Sequence, residues 1–267
     1  MTSGKTRSKD GAEIAYWTEG SGPPLVLVHG ITSTHLTYDE LVPHLTPSRT
    51  VTVYDRRGRG LSGDSPGPYD FSAEFDDLIA VIDVVGSGPV DVFAHSFGAY
   101  IAIGAAQRDD QARIRKMVFY SPGFGDVYPE ETLAEIDDLV ERGQRDQALR
   151  VLLMDIIGMP ADEVDFMQRS PAWAARIESV HTVARECRAD RDFVLDEESL
   201  GSVKVPTLVI SGETNPANKQ AVADNLASLL PGASLKTISG EGHVAHHTAP
   251  DRLAAMVLEF TPRERDS

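Results

Sequence analysis

The sequence predicts an α/β fold: a mainly parallel, twisted sheet with helices on both faces and a helical insertion. Three observations carry this. Short apolar, β-branched runs alternate with stretches of helical periodicity near both ends of the chain. From about 128 to 192 no strand pattern stands out, and charged amphipathic helical segments take its place. At 90–104 a buried-strand pattern turns into a small-residue helix pattern through Ala94-His95-Ser96-Phe97-Gly98. Alternation of this kind requires a sheet covered on both faces. A chain of 267 residues with 41% apolar composition fits one large α/β domain or a domain plus an insertion.

Taken in order, 12–17 and 25–28 read as strands around the turn-forming Gly20-Ser21-Gly22-Pro23-Pro24. His29-Gly30-Ile31-Thr32 follows the second strand, and 36–45 has helical spacing. The run 50–54 is a strand that enters the glycine-rich Asp55-Arg56-Arg57-Gly58-Arg59-Gly60. The helix predicted over 71–85 has its acids early, as the helix dipole prefers. After the serine corner and its helix, 116–120 is strand-like and leads into Ser121-Pro122-Gly123-Phe124-Gly125. Helical patterns at 133–142, 147–157 and 173–188 form the insertion, with a cap at 123–202 and a core made of 1–122 and 203–267. A strand at 207–211, a helix at 220–230, a strand at 235–238 and a helix at 251–260 complete the pattern, with Gly240-Glu241-Gly242-His243 before the last helix.

Composition narrows the function. The formal charge of −16 argues against nucleic acid, which needs clustered Lys and Arg. The single Cys187 excludes an intrachain disulfide. The polar start has no apolar signal region, and no run reaches the ~18 apolar residues of a membrane span, so a cytoplasmic protein with a small-molecule substrate is expected. No Gly-x-Gly-x-x-Gly follows the first strand, which argues against a nucleotide cofactor. No cofactor or metal is expected.

A strand that turns sharply into a helix, with serine at the corner and glycine two places on, lifts one hydroxyl clear of the backbone. The following amides then aim at one point, as an acyl-transfer nucleophile requires. Ligands of open α/β sheets gather at the carboxyl ends of the strands. Here those ends carry 29–32, 55–60, 95–97, 121–124, 212–215 and 240–243.

Across nearly its whole length the chain resembles the α/β-hydrolase fold family. The matching pieces, in family order, are Val28-His29-Gly30-Ile31, the stretch 54–62, Ala94-His95-Ser96-Phe97-Gly98, the stretch 208–213 and Gly242-His243. Ala94 stands where the family's elbow usually has its first glycine. The resemblance implies Ser96 as nucleophile and His243 as its general base. It also implies an oxyanion hole from the amides of Ile31 and Phe97, each worth roughly 3–4 kcal/mol in well-studied cases. The helical cap would supply an apolar pocket, with Trp173, Met154, Met159, Phe166 and Met167 as possible lining, and with Ser121 and Phe124 nearby.

The sequence departs from the family at the third catalytic position. The usual Gly-Glu-x-Asp reads Gly212-Glu213-Thr214-Asn215, and the alternative acid position after the strand before the cap carries Ser121. An asparagine can accept from the histidine but stabilises an imidazolium poorly. The aspartate-to-asparagine change in a serine protease lowers turnover about 10⁴-fold, or about 5.5 kcal/mol. Three explanations stay open: a carboxylate from Asp126, Glu213 or Glu241, a reactive ester or lactone substrate, or a non-hydrolytic cyclase or lyase reaction. A ligand-binding relative with weak turnover is a further alternative. His29 and His95 are expected to shape their turns, Asp55 and its arginines to pin their loop, and His246 and His247 to be solvated or packed near the last helix.

Overall fold

The computed structural model describes residues 1–86, 88–109, 112–123, 128–169, 172–193 and 195–262. Eight strands form one sheet in the order β1-β2-β4-β3-β5-β6-β7-β8. They are β1 (Thr2–Arg7), β2 (Glu13–Gly20), β3 (Pro24–Val28), β4 (Thr50–Tyr54), β5 (Val90–His95), β6 (Ile114–Tyr120), β7 (Thr207–Gly212) and β8 (Ser234–Ile238). β1 and β2 run antiparallel at one edge, and every pairing from β4 to β8 is parallel.

The described helices are α1 (Val42–Leu45), α2 (Ser72–Val85), α3 (Gly98–Arg108), α4 (Glu130–Glu141), α5 (Arg145–Val151), α6 (Ala161–Gln168), α7 (Ala172–Ser179), α8 (Val183–Asp192), α9 (Glu197–Ser202), α10 (Ala217–Leu229), α11 (Ala245–Thr248) and α12 (Pro250–Phe260). Every residue of β5 and β7 is buried, which explains their unbroken apolar reading. Alternate residues feed two cores. Val26, Val92, Phe119 and Val209 meet Leu78, Ile101 and Leu226 on one face. Leu27, Phe93, Val118 and Ile210 meet Leu45, Leu253 and Val257 on the other.

Four elements differ from the sequence reading. β1 went unread because its residues are polar and mostly exposed at the sheet edge. The stretch 36–45 splits into a 3₁₀ turn, His35–Tyr38, and the short α1. Pro43 has no amide to donate, so it fits only the first turn of a new helix. The stretch 147–157 ends in a π turn, Leu152–Ile156, in which the Ile157 amide donates to the Leu152 carbonyl at 3.0 Å. The stretch 173–188 breaks at Val180–Thr182, where Ser179 and Thr182 hydroxyls donate to the carbonyls of Ala175 (2.7 Å) and Ser179 (3.0 Å). Two further helices, α6 and α9, lie between β6 and β7.

Buried ion pairs join this helical segment to the sheet. Arg56 and Arg59 follow β4, and both reach Glu186 on α8, Arg56 at 3.1 Å. Arg56 also holds Glu74 of α2 through two bonds, 3.0 and 2.6 Å, and Arg59 donates to the Thr182 hydroxyl at 2.7 Å. All four charged side chains are almost wholly buried. Removing one member strands the others, so Glu186→Ala is expected to lower the unfolding free energy by about 3–5 kcal/mol. Urea denaturation reads this, and an unchanged midpoint contradicts it.

Candidate active site

Ser96 stands at the corner between β5 and α3 with φ +53, a left-handed conformation that strains any residue but glycine. Its amide donates to the Tyr120 carbonyl at 3.1 Å and its carbonyl accepts from the Ala99 amide at 3.0 Å. The turn leaves no room for side chains around it. A Cβ on Gly98 would lie 2.5 Å from the Val28 carbonyl oxygen, and one on Gly30 would lie 3.0 Å from Ser96 Cβ. Thr32 (φ 55) and Ser121 (φ 44), after β3 and β6, share the same unusual conformation. Thr32 and Ser96 line one cavity, and Ser121 touches His243, which lines it too.

That cavity has an empty volume of about 310 Å³, part of it open to solvent, and Ser96 and His243 both line it. Gly30, Ile31 and Thr32 line it after β3, and Leu153, Ile157, Met159 and Met167 enter from the segment between β6 and β7. Among the described residues neither the Ile31 nor the Phe97 amide has a hydrogen-bond partner. A second hollow of about 440 Å³ shares Ile157, Met159 and His243 and adds Glu163, Asn215 and Lys219.

The far side of His243 is held by neutral groups. Its Nδ1 lies 2.7 Å from Ser121 Oγ, and Asn215 Nδ2 donates to the same oxygen at 3.1 Å. Asn215 therefore meets the imidazole through Ser121, not directly. Ser121, which the sequence reading placed among substrate contacts, sits behind the His243 imidazole instead. The loop is fixed further by His95, whose Nε2 donates to the His243 carbonyl at 2.9 Å. Tyr120 bonds the Gly242 carbonyl and accepts from the Ala245 amide at 3.1 Å.

Two of the three proposed acids fall elsewhere. Glu213 accepts from Ser239 and from the Gly240 amide, both at 2.7 Å. Glu241 is taken by Thr248 and Arg252. Asp126 lies outside the described residues, as does Phe124. Among the described residues no carboxylate bonds to His243. Trp173 is buried but donates to Asp146 at 2.9 Å, and Met154 is 40% exposed. Neither lines the cavity of Ser96. A surface position at the π turn and an outward hydrogen bond account for both. Phe166 is exposed and borders a separate surface hollow.

The neighbouring loops are pinned as their residue types suggest. His29 donates from Nδ1 to the Gly30 carbonyl at 2.9 Å and accepts from the Arg56 amide at 3.1 Å. Asp55 accepts from the His35 and Leu61 amides, both at 2.9 Å. His246 is fully buried, its ring 4.4 Å from that of His95. Sequence reasoning missed Arg176, a buried arginine that lines the cavity. Its signal was a lone charge in the small, apolar run Ala172-Trp173-Ala174-Ala175-Arg176-Ile177.

Residues 25–256 match the alpha/beta hydrolase family, and the chain belongs to that family. Among solved structures it is similar to an alpha/beta hydrolase from Sphaerobacter thermophilus, at 34% identity and a TM-score of 0.85 over 97% of this chain and 100% of that one. It is also similar to 2-(acetamidomethylene)succinate hydrolase from Mesorhizobium japonicum, 24% identical over 259 residues, 91% of this chain and 89% of that protein. Polyketide synthase ThaQ from Burkholderia thailandensis is 28% identical over 276 residues, 97% of this chain, and the chain spans only 13% of that protein's length. Among the described residues no helix is long and apolar enough to cross a membrane.

Burial sets the protonation of the site. It pushes the His243 imidazole well below its ordinary value, and the nearby His95, Lys219 and Arg176 push it further the same way. Burial likewise lowers His29 and His246 well below the usual range and His95 to about 3. These rings stay neutral in the fold, while in the unfolded chain they take up protons near pH 6.5. Below that pH the unfolded state binds more protons. Their contribution is therefore complete above pH 6.5 and is lost as the pH falls. The unfolding free energy is expected to drop between pH 7.5 and 5.5 by up to about 1.4 kcal/mol per pH unit below 6.5 for each such histidine. Urea titrations at the two pH values measure it, and equal stability at both contradicts it.

Proposed function

We propose that this chain is a serine hydrolase acting on a small, fairly apolar carboxylic ester or lactone, with a helical cap formed by the segment between β6 and β7. The observation that carries this reading is the strained Ser96 corner facing the same cavity as a neutral, buried His243. His243 takes the proton of Ser96 Oγ on Nε2 as the serine attacks the acyl carbon. The Ile31 and Phe97 amides receive the developing oxyanion. Collapse breaks the bond to the leaving oxygen, which takes the proton from Nε2. Water then enters by the same steps and releases the acid and free Ser96.

For this sequence Nδ1 must carry a hydrogen in the resting ring. Ser121 Oγ accepts it, with Asn215 Nδ2 occupying the oxygen's other side. A hydroxyl can accept from Nδ1 as a carboxylate does, but it can also donate to it, and it supplies no charge to offset the imidazolium. That loss favours substrates with an activated carbonyl, such as aryl esters and strained lactones. The same lack of charge motivates the second reading, a cyclase or lyase in which Ser96 and His243 shuttle protons without an acyl-enzyme.

Kinetics with phenyl acetate separate the two. Ser96→Ala is expected to lower kcat by about 10⁴-fold or more, and Ser121→Asp to raise it by bringing a carboxylate to Nδ1. Turnover unaffected by Ser96→Ala contradicts the hydrolase reading. No turnover by the parent protein with either phenyl acetate or a lactone favours the second.

A further inference from the structure

Five arginines are buried among the described residues: Arg49, Arg56, Arg57, Arg59 and Arg176. The first four each hold a carboxylate: Arg49 holds Asp91, Arg56 holds Glu74, Arg57 holds Asp77 and Arg59 holds Glu186. Arg176 differs. Among the described residues its guanidinium donates only to the hydroxyls of Thr32, at 3.5 Å, and Thr37, at 3.2 Å. Those two contacts leave most of its five N–H donors unused. A charge buried without a counter-charge is costly to keep. This chain is rich in acids, so a purely structural arginine had partners within reach of selection.

The guanidinium also sits where a ligand would meet it. Arg176 lines the cavity that holds Ser96 and His243. The walls that come from the inserted helices are otherwise apolar: Leu153, Ile157, Met159 and Met167. The histidines around it carry no charge to compete: burial and Arg176 itself both disfavour protonation of His95, His243, His246 and His247. Burial lowers Arg176 only to about 10, so it stays cationic at neutral pH. A planar cation with free donors, beside apolar walls in a small cavity, matches a planar carboxylate, which it can bind through two parallel hydrogen bonds.

We infer that Arg176 recognises a carboxylate on the substrate, so that the preferred substrate is a short ester or lactone bearing one free carboxylate. This rests on the serine-hydrolase reading for its chemistry, though not for the binding itself. The carboxylate supplies the missing counter-charge, and the reactive carbonyl then lies within one short chain of the anchor.

The test compares mono-phenyl succinate with phenyl 4-methylpentanoate, in which an isopropyl group replaces the carboxylate. Ser96→Ala supplies the background rate, which removes spontaneous hydrolysis from the comparison. The parent protein is expected to favour the anionic ester by about 100-fold or more in kcat/KM, because a site built for a polar group rejects the analogue lacking it. Arg176→Gln is expected to erase that preference mainly through a raised KM for the anionic ester, with a much smaller change for the neutral ester. Arg176→Lys is expected to restore part of the preference. Thermal melting of both variants checks that they fold. A parent protein that prefers the neutral ester, or an Arg176→Gln variant that slows both esters alike, overturns the inference. If neither ester is turned over, the hydrolase reading fails. Calorimetry with succinate then decides the binding alone: uptake lost in Arg176→Gln sustains the carboxylate site, and no uptake by the parent protein overturns it.

Discussion

The hydrogen bond between Ser121 and His243 depends on three neighbouring strands ending at one edge of the sheet. β6, β7 and β8 are parallel and adjacent, with Tyr120 opposite Ile210 and Gly212 opposite Ile238. Each strand delivers one residue beyond its last rung: Ser121, Asn215 and His243. Shifting any of these registers by one residue would turn the delivered side chain to the other face. The two sheet cores fix those registers, so the chain from Asn215 through Ser121 to the imidazole follows from packing. β5 adds Ser96 at the same edge, and its left-handed corner is held by tight contact with the turn after β3.

Electrostatics at this edge run opposite to the molecule as a whole. The chain carries a formal charge of −16, yet the charged groups acting on His243 are cationic. Uncharged histidines surround a lone guanidinium, and neutral side chains stand behind the His243 imidazole. The acids near the loop after β4 are consumed elsewhere, in the buried pairs of Arg56, Arg57 and Arg59. Of these, the contacts of Arg56 and Arg59 with Glu186 join the inserted helices to the sheet. A protein of this net charge repels an anionic ligand at long range, so recognition of a carboxylate depends on short-range contacts inside the cavity.

Much of the sheet was legible because buried parallel strands read as unbroken apolar runs, as at β5 and β7. The Ser96 corner and His243 were legible from residue type and order. The edge strand β1 was not, since its polar residues are exposed and bury no stripe. Breaks in the inserted helices escaped notice because Ser179 and Thr182 act through local bonds to carbonyls, which leave no periodic trace. Lining residues were the least accessible. Of the five residues offered as lining, Met159 and Met167 border the cavity, Trp173, Met154 and Phe166 do not, and Leu153 and Ile157 went unnamed. The bond from Ser121 to His243 spans distant parts of the chain, and Arg176 gave only an isolated charge in an apolar run.

The central claim is that Ser96 acts as a nucleophile activated by His243. Intact-protein mass spectrometry after treatment with a fluorophosphonate tests it most directly. One stoichiometric adduct is expected, mapped by peptide sequencing to Ser96 and slowed strongly by His243→Ala. An unmodified protein, or an adduct on another side chain, would contradict it.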